Sequence, residues 1–433
     1  MKFGRSLGFL AALVSALCIG GLLSVAVTSK SYSESYPAVV CPPTLAGLTS
    51  QISLASKKTP FQRLQNRTTK TAPVKVLRLP VNKDSLLFSS DGVTPVVWQS
   101  RASSWAGGAV CTGPEASQWF VGGTADITTR GRLIIINSGL SDAVVDVQSF
   151  TENGKQPLRT ITVVSKNYQV IPTDSLAPGD KYLTVHVAPR SGRINAFMID
   201  EQGAGLKSLG GDLVNSVSNA SKSVMIPAIP HQVKNNSALL HTLRVLTPGD
   251  VDASVTAEVL SSDGVFVPVG LTSRTVSAGI VTEFQFTPKI SSTVLAVRIT
   301  STEPVVAAVQ STVTVAGRKD FVWSTSAPEL VPLTIAISGL TPLISFVGER
   351  INVSLDVTLT NGKVVRKTVK GTDIATWRAP DAARSFTITK VGPDTFAGAL
   401  VSSVNGYGYF PIASGSLLTK IELPDSNIRV LNP

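Results

Sequence analysis

The sequence predicts an all-β protein: about three tandem immunoglobulin-like β-sandwich units after an N-terminal transmembrane helix and a basic spacer. Three observations carry this expectation. In Ile351-Asn-Val-Ser-Leu-Asp-Val-Thr-Leu359 the apolar residues alternate strictly with polar ones, the period of a half-buried strand. Asn361-Gly362 then offers the positive-φ pair of a tight hairpin, and Lys363–Lys370 reads as the returning strand. Charged residues make up only 15% of the 433-residue chain while Val, Ser and Thr recur throughout, which favours strands over helices.

The chain opens with Lys2 and Arg5, followed by 22 uncharged residues from Leu7 to Thr28. That length suits a bilayer-spanning helix, and the leading cations place the N-terminus in the cytoplasm and the rest outside. The competing reading is a cleavable signal peptide cut after Ala26, which would give a secreted protein. The anchor is favoured because the apolar run is longer than a usual signal-peptide core. Both readings export the bulk of the chain.

Export gives the cysteine count a meaning. Cys18 lies in the apolar run, leaving Cys41 and Cys111 as the exported pair, and two cysteines in an oxidising compartment most simply form a disulfide. A catalytic thiol at Cys111 would need a base, yet His186, His231 and His241 all lie far downstream with no Cys-His signature.

Between Ser35 and Lys83 there is no acid, but there are Lys57, Lys58, Arg63, Arg67, Lys70, Lys75, Arg78 and Lys83. This stretch reads as a solvated spacer whose cations can also contact an anionic envelope polymer. Beyond it, the hairpin signature recurs at Gly154, Gly264 and Gly362, about 100 residues apart, in line with sandwich-sized units. Each is followed by a further strand pair: Tyr182–Val187 with Arg193–Asp200, Val294–Ile299 with Val305–Val313, and Ser385–Lys390 with Phe396–Val404. Small, polar Gly203–Lys222 and the prolines near 327–332 read as breaks. The expected organisation is therefore 1–28 cytoplasmic tip and transmembrane helix or signal peptide; 29–84 basic spacer containing Cys41; 85–215 first sandwich with the Cys111 segment; 216–330 second sandwich; 331–433 third sandwich.

The sequence lacks the phosphate-loop, zinc-protease, nucleophile-elbow and EF-hand motifs. His186 falls on the polar side of a strand, and the histidine spacing implies no metal. Asp200 and Glu201, being strand neighbours, point to opposite faces and cannot share a substrate. Trp98, Trp105 and Trp119 surround Cys111 in sequence. They read either as a sugar-stacking surface or as a core tryptophan packed on the disulfide, the latter preferred. No catalytic, cofactor-binding or metal residue is assigned, and no nucleic-acid motif is present. The expectation is a non-enzymatic cell-envelope protein binding or scaffolding an anionic envelope polymer or a membrane protein. The alternatives are an accessory subunit of an envelope-glycan assembly complex and a cell-wall enzyme with an unrecognised site.

The cysteine-containing segment leading into Trp119-Phe-Val-Gly-Gly123, the strand in Leu133-Ile-Ile-Ile-Asn137 and the closing Gly317-Arg-Lys-Asp-Phe-Val-Trp323 together resemble an uncharacterised family. Its members are exported, membrane-anchored or secreted actinobacterial proteins with repeated β-rich units. The resemblance runs from about Cys111 to Pro328 and implies a topology but no activity or substrate; it implies a structural role for Trp323.

Overall fold

The computed structural model describes residues 13–15, 38–73, 76–89, 92–205, 207–234 and 237–416. The run expected to span a membrane, 7–28, lies outside the described residues except for Leu13–Ser15, which are helical. Among the described residues no helix is long and apolar enough to cross a membrane.

Strands dominate, as the alternating pattern predicts. Residues 118–214 build two antiparallel sheets. One runs Gln118–Val121, Thr184–Pro189, Ala143–Thr151, with the last also pairing Gly154–Lys155 and Arg159–Val163. The other runs Asn167–Pro172, Arg132–Asn137, Ile194–Ala204, Lys207–Val214. Their facing apolar residues form one core, with Phe120, Val145 and Val185 from the first sheet and Leu133, Ile135 and Met198 from the second.

Residues 221–325 repeat this strand order. Ser221–Pro230, the first half of the 22-residue strand Val294–Val315, and Ala253–Ser261 with its two short partners form one sheet. Thr282–Phe286, His241–Leu246, the second half of the same long strand, and Arg318–Thr325 form the other. The expected strand pairs thus divide differently. Thr184–Pro189 and Ile194–Ala204 lie in opposite sheets, and Val294–Val315 crosses both sheets without a break. The hairpins at Gly154, Gly264 and Gly362 are present.

Two expectations need correction. Residues 38–84 are not a spacer: Val39–Cys41, Thr49–Ser53, Pro60–Arg63, Lys70–Thr71 and Arg78–Pro80 are strands. Between the cations sit Phe61, Leu64, Ala72 and Leu79, all buried, and this apolar content outweighs the charge repulsion. Nor is 331–433 a self-contained sandwich. Its hub strand Leu343–Leu359 pairs with Val364–Arg378, Ala383–Lys390 and Phe396–Ser402. Its core is completed by Val96, Trp98, Ala106 and Val110 from the N-terminal part, and Val93–Thr94 runs parallel to Leu333–Ala336. The first sandwich begins at Gln118 rather than 85, because Val96–Arg101 pairs with Thr49–Ser53 on one side and Trp105–Val110 on the other, in a separate sheet. Pro37–Leu417 is one compact unit.

Candidate functional site

Cys41 and Cys111 form a disulfide with Cα atoms 4.6 Å apart, and both are fully buried. The bridge leaves Thr112–Glu115 running along the edge of the first sandwich. Thr112 N–H donates to Val40 O, Gly113 N–H to Gly415 O, and Glu115 N–H to Ile194 O. The N-terminal layer, the first sandwich and the chain's last described residues therefore meet at one place.

A cavity of about 580 Å³ opens there, within the size range of small-molecule sites. Its walls come from Thr112 and Glu115, the sandwich strands at Ala196–Met198 and Leu213–Val214, the crossover Asn215–Ser221, the connection Ser326–Leu333, and Pro411–Ser414. Phe197, Met198, Met225 and Ile412 supply an apolar surface, and serines and asparagines of the crossover supply hydroxyls and amides. Asn215 is fixed rather than free: its Nδ2 donates to Gly108 O at 3.0 Å and Tyr409 O at 2.9 Å.

The charged groups lining the cavity are all acidic: Glu115, Glu329 and Asp394. Glu329 and Asp394 are exposed, and Glu329 Oε1 accepts the Asp394 N–H at 3.0 Å. Glu115 is half-buried, and its Oε2 accepts the Ser218 hydroxyl at 3.2 Å. Burial raises the Glu115 carboxyl to about 7, with the Ser218 bond opposing only in part. The site therefore presents a half-buried acid that holds its proton up to about neutral pH, hydroxyl and amide groups, and an apolar wall. Such a lining suits an uncharged or cationic hydroxylated ligand and disfavours a bare anion.

A second polar cluster joins the two sandwiches. Asp200 and Asp212 face each other across paired strands and are fully buried. Asp200 Oδ2 accepts the Trp323 Nε1–H at 2.9 Å, and Asp212 Oδ2 accepts the Trp323 backbone N–H at 2.8 Å. Asp320 Oδ1 accepts N–H groups from Gly211 and Phe321. Burial raises all three carboxyls, Asp320 to about 7 and Asp212 well above the ordinary range. Arg244 lies over the Trp323 ring at 4.7 Å, pairs with Glu283 at 2.7 Å, and donates to Gly123 O and Leu183 O. As period two requires, Glu201 points the other way, to Arg101 at 2.7 Å.

The tryptophans do not share one surface. Trp98 packs with the C-terminal sheet, Trp105 enters the core that holds the disulfide, and Trp119 joins the first sandwich core. Trp105 is therefore the one packed with the bridge. Trp323, from the second sandwich, is buried in the first sandwich's core. His186 is half-buried, stacked on Trp119 at 4.0 Å and bonded to Ser117 Oγ at 2.9 Å, rather than simply facing solvent. His231 and His241, ten positions apart, meet at 3.0 Å, and His241 reaches Ser311 Oγ at 2.8 Å. Burial lowers His241 to about 3, so this chain is a neutral, enclosed strut.

The basic residues expected to contact a polyanion are dispersed. Lys57 and Lys58 sit in an exposed turn leading to the hairpin that carries Arg63 and exposed Lys70. Lys83 is exposed and its carbonyl accepts the Tyr168 hydroxyl. Arg67 is tied to Ser138 O at 2.6 Å, and Arg78 lies against Gly339. Lys75 lies outside the described residues.

Fold and site together define an all-β protein in which two like-ordered sandwiches and a closing sheet contribute walls to one ligand-sized cavity. Residues 99–373 match the model of DUF5719, a family of unknown function, and the chain belongs to that family. No curated protein matches the chain.

Proposed function

We propose that this protein is a non-enzymatic binding or scaffold module of the cell envelope, anchored by its N-terminal segment with the folded part outside the cytoplasm. The cavity carries this reading. It is large enough for a sugar-sized group, and it combines hydroxyls and amides with an apolar wall and an acid whose proton affinity burial raises. The buried disulfide supports an oxidising compartment. We read the two sandwiches as immunoglobulin-like from their size and their paired antiparallel sheets. On this reading, the cavity holds an uncharged part of an envelope polymer while exposed cations such as Lys57, Lys58 and Lys70 meet its anionic part.

The test is co-sedimentation of the full chain, in mild detergent, with isolated cell-envelope material across a salt series. A Ser326→Trp variant, which fills the cavity, is run beside it. Retention that survives salt and is lost on filling supports the cavity. Retention that fades with salt and ignores the filling places binding on the exposed cations. No retention at any salt sinks the envelope-binding reading.

A further inference from the structure

The strand Val364–Arg378 lies at the rim of the closing sheet and pairs, among the described residues, with Leu343–Leu359 alone. Its two halves differ in their surroundings. Toward the C-terminal end, Ile374 packs beside Met225, Leu260 and Val347, and Trp377 lies against the core that the sheet shares with the N-terminal part. Val364–Gly371 has no such cover, and every residue in it except Val369 is exposed. Its register runs unbroken from Val364 opposite Thr358 to Gly371 opposite Ile351, where the ladder shifts and Asp373 turns to φ +58°. At the usual rise per residue this is an edge of roughly 27 Å. A strand paired on one side only presents a row of free N–H and C=O groups on the other.

Period two sorts the side chains along this edge. Arg366, Thr368 and Lys370 lie opposite Asp356, Ser354 and Asn352, on the face away from the core. Val365, Lys367 and Val369 lie opposite Val357, Leu355 and Val353, which are buried, and so belong to the core side. Val369 is itself buried in that core, whereas Val365 is left 41% exposed and Val364 55%. No acid lies between Asn361 and Thr372, but Lys363, Arg366, Lys367 and Lys370 do. Arg366 meets Asp356 at 2.9 Å, and the three lysines are in no ion pair among the described residues.

An open edge with exposed β-branched residues is a template for another strand. Charge selects which one. A second copy of the same edge would set these four cations against the same four, and like charges across a strand pair are destabilising. A polyanion without a peptide backbone would meet the cations but leave the main-chain groups and the valines uncovered. An extended acidic chain answers all three features. We propose that Val364–Gly371 is a strand-addition site for an extended acidic segment of a partner protein, which sets carboxylates beside Arg366 and Lys370 and an apolar side chain beside Val365. The site is separate from the cavity and does not rest on its assignment.

The experiment is fluorescence polarisation of the full chain, in mild detergent, with a labelled synthetic peptide of alternating glutamate and valine. The same peptide methylated at every backbone amide keeps its charge but cannot pair as a strand, and it forms the second probe. A lysine–valine peptide forms the third. The glutamate–valine peptide should bind saturably, and the other two at least tenfold more weakly. Lys367→Glu and Lys370→Glu, both at exposed positions, should each weaken the first peptide at least threefold while leaving Tm unchanged. Hydrogen exchange should show that peptide slowing the amides of Val364–Gly371. Equal binding of the methylated peptide would reduce the edge to a surface for polyanions and overturn the proposal. Undiminished binding in the variants, protection confined to other strands, or no saturable binding at all would overturn it too.

Discussion

Trp323 donates its indole N–H to Asp200 at 2.9 Å and its backbone N–H to Asp212 at 2.8 Å, so one residue of the second sandwich is fastened to two strands of the first. The bond to Asp200 matters because that carboxyl is fully buried and otherwise accepts a hydrogen bond, among the described residues, only from Gln202. Trp323→Phe keeps most of the packing but leaves a buried acceptor short of a donor, at a cost of about 1–3 kcal/mol. Trp323→Ala also empties a fully buried site and should cost about 3–5 kcal/mol. Denaturant unfolding of the two variants should therefore rank wild type above Phe above Ala. Equal midpoints for wild type and Trp323→Phe would show that the indole bond contributes nothing.

The Cys41–Cys111 bridge closes a 70-residue separation and fastens the N-terminal strands to the segment that leads into the cavity. In the chain-entropy model a loop of that length is worth roughly 4 kcal/mol. Cys41→Ser with Cys111→Ser should lower the unfolding free energy by about 2–5 kcal/mol. Thiol labelling of denatured, non-reduced wild-type protein should modify neither residue. A freely labelled Cys111 would count against the disulfide.

The strands and hairpins were legible because their signals are local. The alternation from Ile351 to Leu359 and the turn at Gly362 need no tertiary information. Layering is another matter. Leu133 and Ile135 face the first sandwich core, while Ile134 and Ile136 face the disulfide-containing core on the other side. Their unbroken apolar run records burial on both faces, a mark of an inner sheet that a sandwich expectation does not use. The basic stretch misled for a related reason: its charge was conspicuous, whereas Phe61, Leu64 and Leu79 find their partners only in three dimensions. The cavity left no sequence signature, since its walls come from segments as distant as Thr112 and Ser414.

Asp320 gives a pH dependence whose sign follows from its burial. Its folded-state pKa is about 7, above the ordinary 3.8, because desolvation disfavours the charged form. Below about 4 it is protonated in both states and contributes no pH dependence. Between about 4 and 7 the folded state holds the proton more tightly, so stability from this group falls as pH rises, and the penalty is complete above 7. Asp320→Asn keeps an oxygen for the Gly211 and Phe321 N–H groups but cannot ionise. Its Tm relative to wild type should accordingly be several degrees higher at pH 8 than at pH 5. A constant difference between the two pH values would rule out a raised Asp320.

Gly210-Gly211 looks like a break between domains in the sequence, yet it lies within the strand Lys207–Val214. The reason is proximity. A Cβ at Gly211 would stand 2.9 Å from three ring atoms of Trp105, which is itself fully buried beside the disulfide core. That ring has no exposed side toward which to move, so a methyl group must displace a sheet or force an unfavourable rotamer. Gly211→Ala should cost about 1–3 kcal/mol, despite the better intrinsic strand order of alanine. Gly249→Ala, at a position where a Cβ meets nothing within 4 Å, provides the control for the loss of glycine itself. If chemical denaturation places both variants at the wild-type midpoint, the two layers are not in the close contact that the missing side chain implies. A drop confined to Gly211→Ala, accompanied by a shift in Trp105 near-ultraviolet dichroism, locates the strain at this contact.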